Sequence, residues 1–140
     1  MGAREERPLS PFWKRTVELR DGETGAHVTR MARVSALLGA LMGMDETEVD
    51  LLQDAAVMHD VGKIGISDEI LLKPGSLTEE ERKAMQRHTT IGSELLANSD
   101  TALLQLAGTI ALTHHEHWDG TGYPVGSLGN RYPSRGESWR

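Results

Sequence analysis

The sequence predicts an all-α fold, and three observations support that prediction. Apolar residues recur at intervals of three and four along four segments, as in helices that bury one face. Residues typical of helix N-caps stand directly before most of these segments. No segment shows the alternation of a half-buried strand. We therefore expect a bundle of helices joined by short loops.

The first clear helix is expected over residues 24–42, with Gly43 ending it. An earlier helix over residues 11–20 is predicted by the Ser-Pro pair at its start. His27 lies on the apolar face of the helix over residues 24–42. The other members of that face are Val28, Met31, Val34, Leu38 and Leu41.

Three further helices follow along the chain. A capping-box pattern at Asp45 opens a helix that we expect to end at His59. A second capping-box pattern opens one continuous helix over residues 78–96. Asp100 is expected to cap the last helix, which leads to His114.

Composition narrows the class of protein. The chain has 140 residues, enough for one domain with a modest core. It has no cysteine, which excludes disulfides and thiolate metal sites and suits a reducing cytoplasm. The net charge of −6 argues against a nucleic-acid polymer or a membrane surface as partner. No stretch could span a bilayer and no signal peptide is evident, so we expect a cytoplasmic protein without membrane insertion.

The most informative run is His-His-Glu-His-Trp-Asp-Gly-Thr-Gly-Tyr-Pro, residues 114–124. Two adjacent imidazoles before a glycine-rich turn suit a metal site beside a substrate loop. Further candidates lie upstream, at the inward ends of apolar helical faces: His27, the pair His59-Asp60, and His88. Of the six histidines, only His117 is not predicted to contribute to this site. Burying so many imidazoles and carboxylates is costly unless a cation pairs with them. We therefore predict a metal centre with nitrogen and oxygen ligands, suited to Fe, Mn, Zn, Ni or Co.

Each of these residues also has a plainer interpretation. His27 or His88, taken alone, is typical of a hydrogen-bonded core histidine. Lys63 is either a solvated cation at a helix end or a phosphate-binding ammonium. Gly120 and Gly122 could serve only to shape a loop.

Four motifs in order resemble the HD-GYP branch of the HD phosphohydrolase superfamily, over residues 18–125. They are Glu23-Thr-Gly-Ala-His27-Val-Thr-Arg30, His59-Asp60-Val-Gly-Lys63-Ile-Gly-Ile, Ile70-Leu-Leu-Lys-Pro-Gly-Ser-Leu-Thr before His88, and the run at residues 114–124. His-Asp alone would be weak evidence, but the ordered set is specific. The resemblance implies an HD-superfamily helical bundle around a buried centre of two or three metal ions, often iron.

The resemblance further implies a phosphodiesterase that hydrolyses cyclic di-GMP to pGpG and then GMP. It makes Asp60 and Lys63 the catalytic candidates, and it leaves a homodimer or a signalling-protein partner open. By matched position, the metal ligands are Glu23, His27, His59, Asp60, His88, His114 and His115, of which Glu23 and His27 serve a third ion. The residues expected to bind substrate are Lys63, Asp119, Gly120, Gly122, Tyr123 and Pro124.

The resemblance ends after Pro124, where the family continues with a segment resembling Ile-Pro-Leu-x-x-Arg-Ile and a helix that carries a further Asp ligand. Codons can be chosen for residues 132–140 such that the same DNA, read one base earlier, encodes Ile-Pro-Leu-Glu-Gly-Arg-Val-Val-Ala. The alternative is that the tail is unrelated to the family. We therefore expect a linker or helix end over residues 1–17, an incomplete HD-GYP core over 18–125, lacking the last helices, and a frame-shifted tail over 126–140.

Three functions are compatible with these observations. The first is the cyclic di-GMP phosphodiesterase, impaired in this chain by the lack of that Asp. The second is a non-catalytic remnant that binds metal or a partner. The third is an HD hydrolase acting on another nucleotide, against which the long Gly-Tyr-Pro motif argues.

Overall fold

The computed structural model describes residues 25–126, so residues 1–24 and 127–140 lie outside the description. The described part is helical and contains no β-strand, which confirms the all-α prediction there. Among the described helices, none combines the length and apolar character that a membrane crossing requires. The elements are α1 (Gly25–Leu41), α2 (Glu46–Ala56), a 3-10 helix (Val61–Gly65), α3 (Asp68–Leu71), α4 (Glu79–Gln86), α5 (His88–Leu96) and α6 (Ala102–Thr113).

Two predicted helix starts are confirmed as capping boxes. The backbone N–H of Glu48 donates to Asp45 Oδ1 at 2.9 Å, and the N–H of Asp45 donates to Glu48 Oε2 at 2.8 Å. Thr78 and Glu81 make the same reciprocal pair at the start of α4. The ammonium of Lys73 also donates to Glu81 Oε1 at 2.8 Å. This bond is the main cause that lowers the pKa of Glu81, and it ties the preceding loop to α4.

The helix α1 buries only part of the predicted face, since Val28 is fully buried and Met31 packs against the core. Of the five apolar residues predicted to share the buried face, Val34, Leu38 and Leu41 are 54–76% exposed. His27 is exposed as well. The prediction followed side-chain size, whereas α1 approaches its neighbours through small residues, which allow two helix backbones to come close. The buried residues of α1 are Gly25, Val28, Ala32, Ala36 and Gly39.

Three predicted boundaries were wrong. The helix α2 already ends at Ala56, after which turns lead to the 3-10 helix. Residues 78–96 form two helices that meet at Arg87 rather than one. Thr101, not Asp100, caps α6 with its side chain. Apolar spacing continues across local breaks in backbone hydrogen bonding, so the spacing alone does not locate helix ends.

Two buried apolar clusters meet at the end of α2. The first joins α1 to this end, and Val57 belongs to it. The second joins the same end to α5 and α6, and Met58 belongs to it. Because these consecutive residues are anchored in different clusters, the segment that carries His59 and Asp60 is held from both sides.

The 3-10 helix and α5 touch at Gly62. A Cβ atom at Gly62 would lie 1.8 Å from the backbone oxygen of His88 and 2.4 Å from the backbone nitrogen of Gly92. The helix α5 also lies close to α6, because a Cβ atom added at Gly92 would lie 3.2 Å from the Cβ of Ala111. Small residues therefore allow three elements to approach, and they bring Asp60 close to His88.

Candidate metal centre

Four side chains from three parts of the fold offer ligand atoms within 4.8 Å of one another. They are Asp60, His88, His114 and His115. His59 lies beside them, with its Nε2 atom 3.2 Å from Asp60 Oδ2 and its ring centroid 5.1 Å from that of His114. The structure thus brings together five of the seven ligand candidates that the sequence predicted. We call these five residues the ligand group.

Two other ligand candidates are not in this group. Glu23 lies outside the described residues. His27 lies on the exposed side of α1. Their role at a third ion stays a prediction. His117, which was not predicted to be a ligand, is exposed. Its Nδ1 atom lies 3.0 Å from Thr121 Oγ1.

Backbone carbonyls at three helix C-termini orient three of the histidines through their Nδ1 atoms. The last carbonyls of a helix have no partner within the helix, so they are free to accept these bonds. Because a carbonyl only accepts, Nδ1 carries the hydrogen, and Nε2 of the neutral ring presents a lone pair. Histidines that bind metals are held in the same way. The bonds are His59 Nδ1 to Ala56 O (2.9 Å), His88 Nδ1 to Met85 O (2.8 Å), and His114 Nδ1 to Ile110 O (3.1 Å) and Ala111 O (3.0 Å).

The Nε2 lone pairs converge on Asp60. The Nε2 atoms of His88 and His114 lie 3.3 Å apart, and they lie 3.3 and 3.4 Å from Asp60 Oδ1. Asp60 is 6% exposed, and its Oδ1 atom is buried without a hydrogen bond of good geometry. Lone pairs held this close in a buried site repel one another unless a proton or cation lies between them. The donor set therefore fits a divalent metal ion bound by imidazole nitrogen and carboxylate oxygen.

The protonation states of two members suit metal ligation. Burial opposes the charged form of Asp60, but in the metal-free fold hydrogen bonds from protonated Nε2 atoms of His114, His59 and His88 outweigh burial and hold the pKa of its carboxyl below the usual range. Burial, followed by the neighbouring His114 and His88, lowers the pKa of His115 to about 4. At neutral pH the carboxyl of Asp60 is therefore charged and the ring of His115 is neutral, the forms that bind a metal.

Lys63 occupies the other side of Asp60. Its Nζ atom lies 2.9 Å from Asp60 Oδ2, and its side chain is 17% exposed. The two carboxylate oxygens of Asp60 thus face different partners, the ammonium at Oδ2 and the imidazoles of His88 and His114 at Oδ1. A positive charge consequently stands next to the ligand group.

The loop after α6 folds back over His115. The backbone N–H of Tyr123 donates to His115 O at 3.2 Å, and the two rings stack with centroids 4.7 Å apart and an interplanar angle of 17°. A Cβ on Gly122 would lie 2.3 Å from the backbone nitrogen of His117, so only glycine fits there. Burial and then the charge of Asp60 raise the pKa of Tyr123, which keeps its hydroxyl protonated.

Asp119 and Pro124 are exposed parts of the same loop. Oδ1 of Asp119 accepts hydrogen bonds from the N–H of Thr121 at 2.9 Å and from its hydroxyl at 2.6 Å, and these bonds lower the pKa of Asp119. Gly120 has a φ of 78°, which glycine adopts readily. These residues therefore shape the turn, and their contact with a substrate stays a prediction.

The HD-domain family model matches residues 11–136. The chain belongs to the HD-domain family. The match includes part of the segment 126–140 that we expected to differ from the family, and the predicted boundaries stay predictions.

Similar proteins include several cyclic-dinucleotide phosphodiesterases, as the four motifs predicted. The chain is 47% identical over 130 residues to the cyclic di-GMP phosphodiesterase response regulator RpfG of Xanthomonas campestris pv. campestris, with 93% of this chain and 34% of that protein covered. It is 51% identical over 119 residues to a cyclic di-GMP phosphodiesterase of Thermotoga maritima, covering 85% and 32%. It is 48% identical over 120 residues to the 3'3'-cGAMP-specific phosphodiesterase 2 of Vibrio cholerae, covering 86% and 23%. The chain thus spans about a third or less of these relatives.

Sequence reasoning missed the groups that orient the ligands. The carbonyls of Ala56 and Met85 carry no side-chain signal, although each lies three residues before the histidine that it holds. Glu116 was noticed only as part of the last motif, yet its Oε1 atom accepts the backbone N–H groups of Val125 and Gly126 at 2.7 and 3.2 Å.

Proposed function

We propose that this chain is a metal-dependent phosphodiesterase domain that hydrolyses cyclic di-GMP to linear pGpG and then to GMP. The observation that carries the proposal is the convergence of the His88 and His114 Nε2 lone pairs on the buried carboxylate of Asp60. Such a site is favourable when a cation occupies it. Similarity to proteins named cyclic di-GMP phosphodiesterases supports the choice of substrate.

We further propose that the domain binds two or three metal ions, with iron preferred and Mn, Zn, Ni or Co as alternatives. When bound, such ions supply a Lewis acid for the phosphate and lower the pKa of the attacking water. A set of histidines and carboxylates without thiolates suits each of these metals. The residues that would hold the ions are the ligand group, with Glu23 and His27 at a third ion.

Lys63 is the proposed phosphate-binding residue. Its ammonium lies beside Asp60 at the edge of the ligand group, so a phosphate oxygen near that group would be within its reach. Negative charge grows on the phosphate oxygens as the bond to the attacking water forms, and a nearby ammonium stabilises that charge. The loop of residues 119–124 is proposed to form one wall of the substrate pocket.

A second substrate, 3'3'-cGAMP, is favoured by a specific comparison. A relative that is 48% identical to the chain is named for specificity toward this dinucleotide. The two substrates share the phosphodiester ring and differ in one base. The ligand group and Lys63 would contact only the shared phosphodiester ring. The choice between the two substrates therefore depends on contacts to the base.

The test is hydrolysis by the full chain loaded with Fe(II) or Mn(II) under anaerobic conditions. Cyclic di-GMP and 3'3'-cGAMP are supplied separately, and the linear and mononucleotide products are separated by anion-exchange chromatography. We expect slow formation of product from the wild type, since the sequence predicts impaired activity for this chain, and none from His88→Ala or Asp60→Asn. His117→Ala is the matched control and should keep its activity, because His117 lies outside the ligand group.

Two results would contradict the proposal. Equal hydrolysis by the wild type and His88→Ala would show that the ligand group does not support the reaction. Metal binding without hydrolysis of either dinucleotide would favour a non-catalytic module that binds metal or a partner, or an HD hydrolase acting on another nucleotide.

A further inference from the structure

His115 differs from its neighbours in how its ring is held. The rings of His59, His88 and His114 are each fixed by a hydrogen bond from Nδ1 to a backbone carbonyl. Within residues 25–126, neither ring nitrogen of His115 has a hydrogen bond of this kind. Its ring is held instead by ring contacts, with His114 at 4.2 Å, His88 at 5.2 Å and a near-parallel stack with Tyr123 at 4.7 Å and 17°. Tyr123 is the member of this set that lies outside the ligand group, so the position of its ring contributes to the orientation of His115.

Hydrogen bonds at both ends of the loop fix the position of Tyr123, and Glu116 accepts those at the C-terminal end. Glu116 Oε1 accepts the N–H groups of Val125 at 2.7 Å and Gly126 at 3.2 Å, which follow Tyr123 and Pro124 in the chain. On the other side, the N–H of Tyr123 donates to His115 O. The carboxylate thus joins the exit of the loop to its entrance, directly beside the histidine pair.

We propose that Glu116 is a positioning residue that orients the metal ligand His115. It does so by holding Val125 and Gly126, which keeps Tyr123 stacked on the imidazole. This inference rests on the proposed metal centre and assigns Glu116 no contact with metal or substrate. The inference uses Glu116 as a hydrogen-bond acceptor at Oε1.

The test measures cobalt(II) binding by the metal-depleted full chain, followed by visible absorption, which reports on the ligands of the ion. We expect Glu116→Ala to weaken cobalt(II) affinity about tenfold, since groups that orient metal ligands typically contribute ~10–100-fold. Glu116→Gln keeps the acceptor oxygen and should bind almost as the wild type does. Glu94→Ala, an exposed glutamate of α5, is the matched control and should leave binding unchanged.

The pathway of the effect is tested in a His115→Ala background. If Glu116 acts through His115, Glu116→Ala should weaken cobalt(II) binding no further there. An equal tenfold loss in both backgrounds would show a general structural effect and overturn the inference. An equal loss in Glu116→Gln and Glu116→Ala would indicate that the charge matters, and would overturn it as well.

A second variant keeps the inference testable if Glu116→Ala loses its helical circular dichroism. Tyr123→Ala removes the stacked ring without touching Glu116 and should give a similar loss of cobalt(II) affinity, whereas Tyr123→Phe should retain the affinity. Unchanged affinity in Tyr123→Ala would overturn the inference. A wild-type chain that binds no cobalt(II) would overturn the proposed metal centre itself, together with this inference. Normal wild-type binding with no change in Glu116→Ala would overturn the inference alone.

Discussion

Gly62 lies so close to His88 that a Cβ atom at position 62 would come within 1.8 Å of the His88 backbone oxygen. Asp60 stands just before this contact, and its Oδ1 atom lies 3.3 Å from Nε2 of His88. The backbone contact between the 3-10 helix and α5 thus sets the distance between two proposed metal ligands, Asp60 in the turn before the 3-10 helix and His88 at the start of α5.

Gly62→Ala should destabilise the fold by about 3 kcal/mol, because the added methyl group meets backbone atoms that cannot move aside. The measurement is the free energy of unfolding in urea. Gly108→Ala is the matched control, since its Cβ would lie 3.4 Å from the Cβ of Leu96, an ordinary contact. Alanine also favours helix over glycine by up to ~1 kcal/mol, so this variant should be as stable as the wild type or more so. Equal losses in the two variants would contradict the steric argument.

Metal should stabilise the fold through the ligand group. At a free metal concentration about 1,000 times the dissociation constant, binding adds roughly 4 kcal/mol to the free energy of unfolding. We expect the melting temperature to rise when Mn(II) is added to the chelator-treated chain, and to fall again with excess chelator. His114→Ala should lose most of this rise, and His117→Ala should keep it. A full rise in His114→Ala would exclude His114 as a ligand.

Lys63→Ala should lower turnover of cyclic di-GMP about 100-fold while the metal content per chain stays near normal, because an ammonium stabilises charge on phosphate rather than binding metal. Turnover and elemental analysis of the same sample provide the two measurements. Lys83→Ala is the control, since Lys83 is 70% exposed and its Nζ atom lies 3.8 Å from Glu79 Oε1. Loss of metal together with turnover would show that Lys63 acts by holding Asp60.

The stability of the metal-free chain should fall as the pH decreases from about 6.5 to about 4. The pKa of His115 is lowered from 6.5 to about 4 in the fold, so the unfolded chain takes up a proton in this range while the folded chain does not. Urea unfolding at several pH values measures the effect. His115→Gln should remove this part of the pH dependence, and an unchanged pH profile in that variant would show that another group is responsible.

Local features of the fold were predicted well from the sequence. The capping boxes at Asp45 and Thr78 each depend on a residue three positions ahead, so short-range pattern suffices to find them. The break at Arg87 was missed because the apolar spacing continues through it. The buried face of α1 was predicted only in part, at Val28 and Met31, because packing selected Ala32 and Ala36 over larger residues such as Leu38.

The sequence by itself determined the all-α class, the HD-GYP resemblance and the residues of the ligand group. Only the tertiary structure decided how those ligands meet. His88 and His114 are 26 positions apart, and their Nε2 atoms lie 3.3 Å from each other because α5, which begins at His88, packs against α6, and the carbonyls of Met85 and Ala111 hold the rings. Periodicity and capping act over three or four residues, whereas such a distance depends on helix packing, here on the contact that Gly62 permits.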